Sequence, residues 1–191
     1  MKIGVGRADI TGPLCQVGMM GYAIADQQVK GVGSRLYARA YIMDAPSTGV
    51  RLAFVCAEIW SITQSIRQGV LKRLATAHPD LGLHEHNVML TATHTHSGPG
   101  GYSHYVLFNL SIPGYVEPIL RSIVDGIVSA IVDEATSLRP GYVSMQRGEI
   151  PKDEPVGFNR ALKAYNRNID VEPVGQESAH LAIDREMTTL R

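Results

Sequence analysis

Between residues 50 and 92 an apolar strand, an amphipathic helix and a second strand follow one another, and this order narrows the fold more than any other feature. Val50 to Ala57 is nearly all apolar, the pattern of a strand covered on both faces. Ile62, Ile66, Val70, Leu71 and Leu74 then recur at helical spacing down to about Ala77. Ser61 is placed to cap that helix, with Gln64 completing a capping box, and His78-Pro79 ends it. Asn87 to Ala92 is the next apolar run. A strand–helix–strand unit predicts parallel pairing through a right-handed crossover.

The remaining pattern extends this unit on both sides. Residues 2–8 read as a short strand closed by the turn Asp9-Ile10-Thr11-Gly12-Pro13, and 36–43 alternate as a strand with two different faces. Residues 14–34 show little periodicity and read as a long irregular loop of the kind that carries function or disorder. Ile119, Leu120, Ile123, Val124, Ile127, Val128, Ile131 and Val132 mark a second helix, opened by Pro118 and stopped by Arg139-Pro140-Gly141. Tyr142 to Ile150 alternates as a further strand. Residues 152–191 are charged, poor in apolar clusters and read as mostly irregular. The order β-β-β-α-β-α-β predicts an α/β fold, a mixed β-sheet with packed helices.

Composition removes several functional classes. Eighteen Lys plus Arg balance eighteen Asp plus Glu, and without a basic stripe no nucleic-acid partner is expected. No apolar stretch approaches the roughly 18–20 residues of a membrane span. Met1-Lys2-Ile3-Gly4-Val5-Gly6 has no hydrophobic signal core. The two cysteines, Cys15 and Cys56, make no disulfide framework, and Cys56 reads as a small buried thiol.

The chemistry concentrates in Thr93-His94-Thr95-His96-Ser97-Gly98-Pro99-Gly100-Gly101. On extended backbone, side chains two apart share a face, so His94 and His96 are expected to point into one pocket. Imidazole is both a zinc ligand and a proton shuttle near neutral pH. Two histidines alone do not make a zinc site, which needs three or four ligands. The run lacks the Asp-His of a metallo-β-lactamase-type pattern, and an amidohydrolase barrel needs about 250 residues. His84 and His86 precede the strand and read as exposed loop, as His78 and His180 read as solvated; His104 divides evenly between pocket wall and surface. Arg160, in Phe158-Asn159-Arg160-Ala161, is either an ordinary surface arginine or an oxyanion binder. Asp9 and Glu58 read as structural caps before outer-shell carboxylates. Ser97 lacks the Gly-x-Ser-x-Gly context of a nucleophile elbow.

Taken together, these blocks resemble the N-terminal part of the neutral ceramidase family, zinc-dependent N-acylsphingosine amidohydrolases. The likeness runs through Gly4-Val5-Gly6-Arg7-Ala8-Asp9-Ile10-Thr11-Gly12-Pro13, Met20-Gly21-Tyr22 and Arg35-Leu36-Tyr37-Ala38-Arg39-Ala40. It continues through Thr93 to Tyr102, Ile123-Val124-Asp125-Gly126-Ile127, Phe158-Asn159-Arg160 and Ala164-Tyr165. The resemblance implies that His94 ligates zinc, that His96 sits beside the reacting centre as a catalytic residue, and that Arg160 helps hold the substrate. Ala161 stands where family members often carry serine. The implied reaction is cleavage of the N-acyl amide bond of ceramide to sphingosine and a fatty acid. The other zinc ligands and the nucleophile would lie beyond the matched part, so the chain is expected to be an N-terminal portion, weakly active or inactive alone. The expected partners are ceramide or a related N-acyl lipid, the missing C-terminal part of the enzyme, and a membrane surface. Family members are typically secreted or membrane-associated, whereas the N-terminal residues read as lacking a signal peptide, so no compartment is assigned. Alternatives at this stage are a non-catalytic remnant or binding module, and a hydrolase of other amides or esters.

Overall fold

Small residues on one sheet and large ones on one helix decide how the first part of the chain packs. The computed structural model describes residues 1–13, 16–112 and 114–191; Leu14 and Cys15, within the long loop expected over 14–34, lie outside them. Five strands form one sheet: β1 (Lys2–Asp9), β2 (Tyr37–Ala45), β3 (Val50–Ala57), β4 (Val88–Ala92) and the short β5 (Arg139–Pro140), in the order β4-β3-β2-β1-β5. β3 and β4 pair in parallel and the other neighbours are antiparallel. This is the mixed sheet and parallel crossover that the residue pattern predicts.

Along β1, β2 and β3 the covered face carries Gly4 and Gly6, then Ala38, Ala40 and Ile42, then Ala53, Val55 and Ala57. The bulk that fills this shallow face comes from α2 (Glu117–Ala135). Its residues Ile119, Ile123, Ile127 and Ile131, one per turn, are all buried. Burying each isoleucine is worth about 1.5–3 kcal/mol. The approach is close enough that a Cβ on Gly6 would run into the Ala130 carbonyl, and one on Gly126 would lie 2.5 Å from the Asp9 carbonyl oxygen. α1 (Gln64–Ala77) buries Ile66, Val70 and Leu74 and packs beside α2.

Two helix boundaries differ from the sequence expectation, each for a tertiary reason. The cap of α1 is Thr63, not Ser61: its hydroxyl accepts from the Ile66 amide at 3.4 Å. That hydroxyl also lies 3.2 Å from the Tyr102 carbonyl, so a distant residue fixes where the helix begins and the box at 61–64 does not form. α2 ends at Ala135, ahead of the Arg139-Pro140-Gly141 stop, because Arg139 and Pro140 pair with Ile3 and Lys2 on β1.

The chain divides into two compact units, Met1–Tyr142 and Val143–Arg191. In the second, the strand expected over 142–150 forms as β6 (Met145–Glu149). It pairs antiparallel with β7 (Glu186–Leu190) in a two-stranded sheet of its own, so it adds nothing to the main sheet. The region read as mostly irregular also holds the single-turn helix α3 (Leu162–Tyr165) and a 3-10 segment, Gln176–Leu181. Arg185, 5% exposed, organises this unit. Its guanidinium donates to the carbonyls of Pro151 at 2.5 Å, His180 at 3.0 Å and Glu154 at 3.1 Å. No helix among the described residues is long and apolar enough to cross a membrane.

Candidate functional site

The parallel strands β3 and β4 end side by side, and the chemistry lies just beyond their carboxyl ends, where open α/β sheets form ligand crevices. The Thr93 amide still donates to the Ala57 carbonyl at 3.0 Å, one residue past β4. His94 then turns left-handed, with φ 62°, a conformation that costs a non-glycine residue about 1–3 kcal/mol. The two imidazoles do face each other, with ring centroids 5.1 Å apart at 75°. The cause differs from the expectation, however. Extended backbone does not carry the chain through His94, and the turn itself brings the rings together.

His94 is anchored across the site. Its Nδ1 lies 2.9 Å from the carbonyl oxygen of Trp60, the third residue after β3. A carbonyl only accepts, so Nδ1 carries the proton and Nε2 is left as the free donor atom. The Trp60 ring lies 5.5 Å from the His94 ring and meets Phe108 edge-on at 5.2 Å. Aromatic surface therefore walls one side.

His96 is held by a different segment. Residues 18–20 bridge to the turn after the histidines: the Met20 amide donates to Gly98 at 3.0 Å and the Gly100 amide to Gly18 at 2.9 Å. That bridge delivers Gly21, with φ 92°, against the His96 ring. A Cβ there would lie 2.7 Å from His96 Cε1 and 2.8 Å from Trp60 Cδ1. Tyr22 meets the same ring edge-on at 5.2 Å. His94 is exposed and His96 half-buried, so the pair is open to a ligand.

Three residues here escaped sequence reasoning. Trp60 acts through its backbone carbonyl, which no side-chain pattern reveals. Gly21 and Tyr22 stand in the Met20-Gly21-Tyr22 block, and the only signal was that block's place in the family likeness.

The other candidates separate by what they touch. Glu58 accepts from the Tyr37 amide at 2.8 Å and from Arg39 at 2.5 Å. Asp9 accepts from the Thr11 amide at 2.7 Å and from Arg35 at 3.1 Å. Both carboxylates are committed to structure. Ser97 is exposed, its amide tied to Thr95 Oγ1 at 3.1 Å. His84 and His86 are exposed, and His104 is exposed and stacked on Tyr115 at 4.2 Å; His78 and His180 are half-buried. Cys56 is half-buried, and burial pushes its thiol pKa up. In the second unit Arg160 is exposed, and among the described residues its guanidinium makes no hydrogen bond. Asn159 pins the loop beneath it: its Nδ2 donates to the Ala182 carbonyl at 3.0 Å and its Oδ1 accepts from the Ala161 amide at 2.8 Å. A backbone amide makes that last contact, so it survives with alanine at 161.

His94, with Nδ1 tied to a carbonyl and Nε2 free, has the arrangement metal-ligating histidines usually show. Among the described residues no group of three or more His, Cys, Asp or Glu side chains gathers to complete a site. His94 fits zinc as one ligand, and the full set of three or four is not formed among the described residues.

Comparison with known proteins gives a consistent likeness. The family model for the N-terminal part of neutral/alkaline non-lysosomal ceramidase matches residues 1–191. Neutral ceramidase of Pseudomonas aeruginosa is 41% identical over 189 residues, which cover 99% of this chain and 27% of that protein. Neutral ceramidase 1 of Arabidopsis thaliana is 38% identical over 190 residues, covering 99% of this chain and 23% of its own length. A solved ceramidase complexed with C2 superimposes with a TM-score of 0.87 at 39% identity, covering 99% of this chain and 28% of that one. The chain thus spans about a quarter of the length of the relatives it matches.

Proposed function

This chain belongs to the neutral/alkaline non-lysosomal ceramidase family, and from that premise we propose that it contributes the His94–His96 part of a site that hydrolyses the N-acyl amide bond of ceramide. The observation that carries this reading is the tie between His94 Nδ1 and the Trp60 carbonyl. It fixes the tautomer and leaves Nε2 free on a ring whose centroid lies 5.1 Å from that of His96.

In this reading zinc, when bound, polarises the scissile carbonyl or activates the attacking oxygen. His94 would hold it through Nε2, and the remaining donors would come from the part of the enzyme that this chain does not match. His96, its ring edge set by Gly21 and Tyr22, hands a proton to the leaving nitrogen or hydrogen-bonds the tetrahedral oxyanion. The Trp60–Phe108 wall packs against aliphatic parts of the lipid. The family likeness also assigns Arg160, in the second unit, to substrate binding, a role that its fork of donors suits.

The test is a chimera in which this chain replaces the matched segment of Pseudomonas aeruginosa neutral ceramidase, assayed for fatty-acid release from ceramide. Activity that is lost on His94→Ala and on His96→Ala supports the reading. A folded chimera with no activity, or one that cleaves simple esters and amides but not ceramide, overturns it.

A further inference from the structure

The segments that leave β3 and β4 are joined in three places, and the His94 tie is the middle one. Nearest the sheet, the Thr93 amide donates to the Ala57 carbonyl. In the middle, His94 Nδ1 donates to the Trp60 carbonyl. Farthest out, Ser65 Oγ donates to the Tyr102 carbonyl at 2.7 Å. Thr63 Oγ1 shares its proton between that carbonyl at 3.2 Å and Ser65 Oγ at 2.8 Å. The inner join is backbone alone, so no side-chain change removes it. The outer join is made by hydroxyls at the start of α1, which follows the Trp60 loop directly.

Strain explains why the outer join matters. His94 is left-handed, and a strained backbone persists only where its surroundings over-determine it. Between His94 and Tyr102 the chain is also fastened at Gly98, Gly100 and Gly101, but to Met20, Gly18 and Val116. Those three bonds do not reach the Trp60 loop. Tyr105 donates to Gln64 Oε1 at 2.6 Å, where both side chains are exposed and water competes. The Tyr102 ring is buried, so its carbonyl is a fixed post against which Ser65 sets the Trp60 loop. Thr63 cannot be removed cleanly, because it also caps α1. Ser65 is half-buried inside the first turn and does not cap it, so alanine there deletes the hydroxyl and keeps the helix.

We propose that Ser65 is a positioning residue for the histidine pair: its bond to the Tyr102 carbonyl holds the Trp60 carbonyl where it keeps the His94 proton on Nδ1. Its part in catalysis rests on the amide-hydrolase reading above, but the test needs no turnover. The isotopically labelled 191-residue chain is compared with Ser65→Ala and Ser65→Thr by long-range proton–nitrogen spectra at pH 8. Ser65→Ala should raise the ratio of Nε2-protonated to Nδ1-protonated His94 about 2–10-fold, the size of one lost hydrogen bond. Ser65→Thr, which keeps the hydroxyl, should show the parent ratio. Amide shifts in Ser65→Ala should stay within residues 58–66 and 93–103. An unchanged ratio in Ser65→Ala, or a change that Ser65→Thr shares, overturns the assignment. So do shifts spread through α2 and β1, which would mean a general loosening of the fold. An inactive chimera leaves the tautomer result standing, and an unmoved tautomer leaves the chimera assay untouched.

Discussion

His94 Nδ1 and the Trp60 carbonyl oxygen, 2.9 Å apart, join the loops that leave the two parallel strands. The imidazole is thus a structural tie as well as a chemical group, and its tautomer is set by the fold. Long-range proton–nitrogen correlation spectra at pH 8 should show Nδ1 protonated and Nε2 bare. A spectrum with the proton on Nε2 contradicts the tie. In the ceramidase chimera, His96→Ala should lower kcat by about 10²–10⁴-fold, the range of a lost proton-transfer group, with a smaller change in KM.

Gly21 should be the least replaceable glycine near the site. Its φ of 92° strains any side chain, and a Cβ would press on His96 and Trp60 together. Gly21→Ala should cost about 1–3 kcal/mol in a chemical melt and shift the His96 ring resonances. Gly31→Ala, where a Cβ meets open space, serves as the matched control and should leave the ring resonances unchanged. A Gly21→Ala variant with native stability and unshifted His96 signals would show that Gly21 positions nothing.

Most of the first unit was legible in the residues, because a half-buried strand and an amphipathic helix write their period into apolar positions. What was not legible falls into three physical kinds. β6 and β7 expose every residue, so no pattern says which sheet they join. Ser61 and Gln64 satisfy the local capping rule, yet the Tyr102 carbonyl holds Thr63 and moves the helix start, an interaction 39 residues away in sequence. At the site, the spacing of His94 and His96 led to the right convergence through the wrong backbone. A left-handed residue and a backbone carbonyl leave no mark in side-chain chemistry.

Asp9 links the end of β1 to acid stability. The Thr11 hydrogen bonds, and secondarily the Arg35 guanidinium, hold its carboxyl below the usual value near 3.8. A carboxylate whose folded pKa is depressed contributes stability that is present above its unfolded value and is lost as pH falls through the folded one. Melting temperatures of the parent and Asp9→Asn should therefore differ most at neutral pH and converge below about pH 4. Because Asp9 is largely exposed, the difference at neutral pH should be small. Curves that diverge further in acid contradict the assignment.

Tyr102 is 1% exposed, and among the described residues its hydroxyl has no hydrogen-bond partner. Burial pushes its pKa up to about 12, against the opposing pull of the nearby Ser61 and Trp60 amides. A tyrosine raised in the folded state contributes stability that is full below the unfolded value near 10 and is lost as pH climbs through the folded one. Ultraviolet titration should show one phenol ionising well after the others, and Tyr102→Phe should remove that step. With no hydrogen bond to lose, Tyr102→Phe should change stability by less than about 1 kcal/mol, whereas Tyr102→Ala empties buried volume and should cost about 3–5 kcal/mol.

Gly6 and Gly126 allow β1 and α2 to come within backbone distance, so both should resist even a methyl group. On Gly6 the new carbon would run into the Ala130 carbonyl, and on Gly126 it would meet the Asp9 carbonyl and Ile10 Cγ2. A backbone carbonyl cannot swing aside as a side-chain tip can, so relief requires lifting the helix and loosening the Ile119–Ile131 stripe. Each Gly→Ala change should cost about 1–3 kcal/mol, as overpacking does, despite alanine's higher helix propensity at 126. If both act by lifting the same helix, the double variant should lose less than the sum of the singles. Urea melts of the two singles and the double decide this: additive losses would mean that the two contacts yield independently, and a stabilised Gly126→Ala would mean that the close approach does not exist.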